Sequence, residues 1–91
     1  YFYSMINFVL FRPYEMVRNG IVKHNANVKL IGVKGSEKYA FLGFSHNLSN
    51  DMEDVMACAN LELEPHTPKL EEVKDIILKT YEEKKPVYVR L

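Results

Sequence analysis

The stretch Val28-Lys29-Leu30-Ile31-Gly32-Val33-Lys34-Gly35-Ser36-Glu37-Lys38-Tyr39-Ala40-Phe41-Leu42-Gly43-Phe44 reads as two strands about a tight turn. Val28 to Val33 is a β-branched apolar run, Lys34 to Glu37 carries turn residues, and Lys38 to Phe44 is apolar again. Strands joined by so short a turn pair antiparallel, so this stretch predicts an antiparallel sheet.

On the amino-terminal side, Ile6-Asn7-Phe8-Val9-Leu10-Phe11 reads as another buried strand, ended by Arg12-Pro13. Pro13 suits the first turn of a helix, and Met16, Val17, Gly20, Ile21 and His24 fall on one helical face. A hairpin turning at Asn19-Gly20 is the competing reading of this segment. Tyr1-Phe2-Tyr3-Ser4-Met5 resembles the remnant of a cleavable purification tag in all but Tyr3, so residues 1–4 stay outside the functional argument.

On the carboxyl side, Asn50 suits a helix cap, and Met52, Val55, Met56 and Ala59 predict an apolar stripe on a helix over Asp51 to Ala59. Thr67-Pro68 opens a second helix, with Leu70, Val73, Ile76, Ile77 and Tyr81 facing the core. That helix ends at Lys84 and Lys85 before Pro86, and Val87 to Leu91 closes the chain as a strand. The expected fold is α+β, a ferredoxin-like βαββαβ antiparallel sheet with an additional helix, in one domain over residues 1–91. Such a sheet packs helices on one face and leaves the other open.

The open face gives the functional expectation. Side chains alternate along a strand, so Tyr39 and Phe41 share the face opposite Ala40, Leu42 and Phe44. Exposed rings at that spacing suit base stacking, worth roughly 1–3 kcal/mol per base. Residues 1–45 carry six basic against two acidic side chains, a balance of +4 that the rest of the chain cancels. A basic half attracts polyanions even in a neutral protein.

Glu37 to Phe44 resembles the RNP1 signature of the RNA recognition motif family in its last six positions, counting the free one. It departs in the first two, with Glu37 for the basic residue and Lys38 for glycine. The first strand also departs, offering Asn7 and Val9 where the family's partner signature needs an outward aromatic. The resemblance implies that Tyr39 and Phe41 stack on bases and that Lys38 meets phosphate. Lys34 and Lys29 join them as candidate phosphate contacts from the basic half. Gly43-Phe44-Ser45 followed by Asp54-Val55 and Cys58 is similar to a signature of DOMON domains, a β-sandwich family that includes haem binders, and ranks third because that fold needs many strands.

Catalytic machinery is not expected. Cys58 with His46 or His66 lacks the paired spacing of a zinc site, and a lone cysteine on an amphipathic helix is a small core residue. Asp51, Glu53 and Asp54 read as helix-capping acids, and no glycine pattern forms a phosphate loop. No metal, cofactor or catalytic residue is assigned. The longest apolar runs are too short to span a membrane, no signal peptide is read, and the single cysteine favours a reducing, cytoplasmic setting. The function expected is non-catalytic binding of single-stranded RNA or DNA, or alternatively of a protein partner, as a regulatory or inhibitory module or a homodimer.

Overall fold

The computed structural model describes residues 1–33, 40–48 and 52–91. Its sheet is four-stranded and wholly parallel, in the order β1-β2-β4-β3. The strands are β1 (Phe2–Met5), β2 (Lys29–Val33), β3 (Pro65–His66) and β4 (Val87–Arg90). This overturns the antiparallel ferredoxin-like expectation. The physical reason is that helical segments separate the strands in sequence, and such crossovers return the chain to the same sheet edge.

The first difference is at the amino terminus. The strand lies at Phe2–Met5, in the segment that resembles a tag remnant, and pairs with β2 from Phe2 opposite Leu30 to Met5 opposite Val33. The apolar run after it is helical. Asn7–Phe11 and Val17–Val22 form wide π turns around a short α1 (Tyr14–Met16). Ile6, Val9, Leu10 and Val17 are its buried residues. Their spacing follows a helical period, which a run rich in apolar residues at every position conceals.

The second difference is the segment expected to pair with β2. Ala40–Leu42 is a single 3₁₀ turn. Gly43 follows at φ +80°, a left-handed conformation that interrupts an extended chain, and the His46 N–H closes onto its carbonyl at 3.1 Å. Lys34, Lys38 and Tyr39 lie outside the described residues.

The third difference is the phase of α2 (Glu53–Asn60). Met52 and Met56 are exposed, and Asp54, Ala57, Cys58 and Leu61 face the core instead. The buried set has the same i, i+3, i+4, i+7 spacing as the expected stripe but lies across the helix from it. In α3 (Val73–Glu82), Ile76 and Ile77 pack inward as expected, while Tyr81, and Leu70 on the 3₁₀ turn that precedes the helix, face solvent.

Both faces of the sheet are covered. On one face Leu30 and Tyr88 meet Val9, Leu10 and Val17 of the leading helical segment, Ala57 and Cys58 of α2, and Leu61 at its end. On the other, Ile31, Val87 and Val89 meet Ile76 and Ile77 of α3. The chain runs outward from β1 past β4 to β3 and then back to β4, and right-handed crossovers send the returning helix to the opposite face. Gly32 is needed at its place in β2, where a Cβ would lie 2.7 Å from Tyr88 Oη and 2.9 Å from Ile6 Cγ1.

Candidate functional site at the carboxyl edge

A parallel sheet gathers the starts of its connections at the carboxyl ends of the strands. Ligands of open α/β sheets bind outside those ends. Here the leading helical segment departs from β1, and the connection holding residues 40–48 departs from β2. The two segments touch. Asn7 Nδ2 donates to the Asn47 carbonyl at 3.1 Å, and Arg12 Nη2 reaches the Ser45 carbonyl at 3.4 Å. Arg12 stacks its guanidinium 4.1 Å from the centre of the Phe8 ring. Phe8 in turn meets His46 edge to face, with centroids 5.0 Å apart. Ser45 Oγ and His46 Nδ1 are 2.8 Å apart.

Between these segments lies a hollow of about 490 Å³ lined by Asn7, Phe11, Phe44, Asn47, Leu48 and Glu53. Its size falls within the range of small-molecule pockets. Phe44 is 94% exposed, which leaves its ring faces available at the mouth. Asn7 Oδ1 is buried and accepts no hydrogen bond from the described residues. The lining therefore combines two aromatic side chains and Leu48 with the amides of Asn7 and Asn47 and the carboxylate of Glu53.

A buried polar group supports this edge from below. Asp54, in the first turn of α2, has no exposed surface. Its Oδ2 accepts from Tyr88 Oη at 2.7 Å and lies 3.3 Å from Arg90 Nε. The contact with Arg90 is an ion pair without hydrogen-bond alignment, and Asp54 Oδ1 and Arg90 Nη2 have no hydrogen-bond partner among the described residues. Burial, joined by the Asp54 hydrogen bond, pushes the Tyr88 hydroxyl well above the ordinary tyrosine pKa. Cys58, one turn along α2, is pushed up to about 12 by burial and then by Asp54. A thiol held protonated in this way is a core group and not a nucleophile.

Of the residues singled out from the sequence, Phe41 and Lys29 are among those described. Phe41 is 80% exposed and sits on the 3₁₀ turn, not in a strand. Lys29 is only 3% exposed. Its ammonium donates to the Glu83 carbonyl, to the Lys85 carbonyl at 2.7 Å and to Asn27 Oδ1 at 2.9 Å. Burial holds its pKa below the ordinary lysine value, against the pull of Glu83. The open sheet face on which Tyr39 and Phe41 were to stand is absent from a sheet covered on both sides.

Sequence reasoning missed Asn7, Asp54, Tyr88 and Arg90. Asp54 carried the one available signal, an acid on the i, i+3, i+4, i+7 set shared with Ala57, Cys58 and Leu61. Among the described residues no group of three or more His, Cys, Asp or Glu side chains is placed to hold a metal ion, and no helix is long and apolar enough to cross a membrane. No family model matches the chain, and no curated protein or solved structure is significantly similar to it.

Proposed function

We propose that this domain is a non-catalytic binding module that takes a flat heteroaromatic small molecule in the hollow at its carboxyl edge. The observation that carries the reading is the position of that hollow, between the connections that leave two adjacent parallel strands. Phe44 offers its ring faces for stacking, and Phe11 adds apolar wall beside it. Asn7, whose amide is held by the Asn47 carbonyl, contributes a polar group to the wall of the hollow.

Circular-dichroism melting with adenosine, cytidine and nicotinamide tests it. A ligand at ten times its Kd stabilises by about 1.4 kcal/mol. In a domain of this size that raises Tm by roughly 6–11 °C. At least one of the three compounds should produce the rise, and Phe44→Ala, a change at an exposed side chain, should abolish it while leaving the unliganded melt in place. Unchanged melting with all three at millimolar concentration, or a rise that survives in Phe44→Ala, rejects the site.

A protein partner is the second reading, favoured by Leu70, Leu78 and Tyr81, which stand exposed along the α3 region. Binding there would be insensitive to salt. Single-stranded nucleic acid would instead bind more weakly as salt rises, and among the described candidate residues that reading now rests on Phe41 alone.

A further inference from the structure

Building on the binding reading above, on which it rests, we propose that the carboxyl-edge hollow selects a positively charged ring, a pyridinium or similar cationic heteroaromatic, over its neutral counterpart, and that Glu53 makes the selection. The observation is the charge of the lining. Asn7, Phe11, Phe44, Asn47 and Leu48 carry no charge, and Glu53 is the one charged side chain among the described residues of the wall. Arg12, on the leading helical segment, is laid on the Phe8 ring and reaches the Ser45 carbonyl, and it does not line the hollow.

The helix behind the hollow does not reverse that sign. Glu53 opens α2, and the amino end of a helix carries roughly half a positive charge. A full carboxylate in that turn outweighs it. Asp54, the other acid of the turn, is buried in the core, where Arg90 Nε lies 3.3 Å from its Oδ2 and answers its charge. The turn therefore offers the hollow net negative charge through Glu53. A phosphorylated ligand meets the wrong balance, one carboxylate and, among the described residues, no basic side chain in the wall.

The aromatic wall acts in the same direction. A ring face carries the negative part of its quadrupole, so a cation over Phe44 is attracted where an anion is repelled. Phe44 is exposed at the mouth, and Glu53 belongs to the same hollow of about 490 Å³. Charge acts across a space of that size, because the Debye length is about 8 Å at physiological salt. An exposed cation–π contact and an exposed ion pair, each at a modest value for such sites, together favour the cation by about fivefold in Kd.

Nicotinamide methylated on its ring nitrogen and meta-toluamide test this. The two share one shape and differ in a single ring atom, N⁺ against C, so shape is held constant while charge changes. Kd values come from ¹H–¹⁵N correlation titrations of the whole chain, read at the Asn7 side-chain amide and the backbone from Phe44 to Leu48. The cation should bind about fivefold tighter, and raising salt from roughly 50 to 500 mM should shrink that margin. Glu53→Gln, with an unchanged circular-dichroism spectrum, should reduce the preference to about twofold or less, the remainder coming from Phe44. Equal affinities in the wild-type chain, or tighter binding of the neutral compound, overturn the charge selection and leave the site standing. A preference that survives Glu53→Gln in full overturns the role of Glu53. If neither compound binds at millimolar concentration, the site itself is rejected and the selection with it.

Discussion

Replacing Lys29 by methionine decides between two roles for that side chain. In the fold its ammonium bridges β2 to the segment after α3 through the carbonyls of Glu83 and Lys85, with Asn27 Oδ1 as a third acceptor. Methionine keeps most of the stem and removes the donors. Two charge-assisted bonds at the lower end of their usual worth, about 1.5 kcal/mol each, come to about 3 kcal/mol. Methionine returns about 1 kcal/mol, because it no longer buries a charge whose desolvation already depresses the Lys29 pKa. The expected loss is about 2 kcal/mol, or roughly 8–16 °C in Tm. Urea unfolding followed by circular dichroism measures it, with the m-value unchanged. A loss below about 0.5 kcal/mol would refute the bridging role, since surface substitutions fall within that range. A drop in affinity for a polyanion at unchanged stability would restore Lys29 as a phosphate contact.

Other outcomes follow from the same contacts. Tyr88→Phe should cost about 2 kcal/mol in urea unfolding, because it takes from a fully buried carboxylate the one hydrogen bond it receives among the described residues, whereas Asp54→Ala should cost about 3–5 kcal/mol by leaving Arg90 without this counter-charge. Gly32→Ala should cost about 1–3 kcal/mol, because the new methyl meets a tyrosine that Asp54 holds in place. Cys58, raised to about 12, should resist a thiol reagent at pH 8 in the folded protein and react once urea unfolds it. A folded chain that reacts at the rate of a free thiol contradicts that burial. The sign is set by the raised pKa: deprotonation is disfavoured in the folded state, so folding loses stability only as pH climbs above the thiol's unfolded pKa.

The sheet's centre was legible and its pairing was not. Val28 to Val33 and Val87 to Leu91 read as strands because β-branched residues fill them on both faces, as buried parallel strands require. The same fullness misled at Ile6 to Phe11, where Ile6, Val9 and Leu10 follow a helical period but Phe8 and Phe11 fill the gaps. Lys38 to Phe44 carries strand composition, yet Gly43 adopts a positive φ and, among the described residues, no strand pairs with residues 40–44. On α2 the methionines outrank the small residues in hydrophobicity, so the stripe of Met52 and Met56 hid the buried face of Asp54, Ala57 and Cys58. A close approach to Tyr88 and the sheet favours small side chains there, and no single sequence displays that distance. The carboxyl-edge hollow depends on which connections meet, so it became visible only once the parallel topology was known.

The most direct test is a ¹H–¹⁵N correlation titration of the whole chain with the compound that raises its melting temperature. Binding at the carboxyl edge predicts shifts confined to the Asn7 side-chain amide, the backbone of Phe11 and the backbone from Phe44 to Leu48. Shifts gathered on β1 or α3, with those signals unmoved, would contradict it.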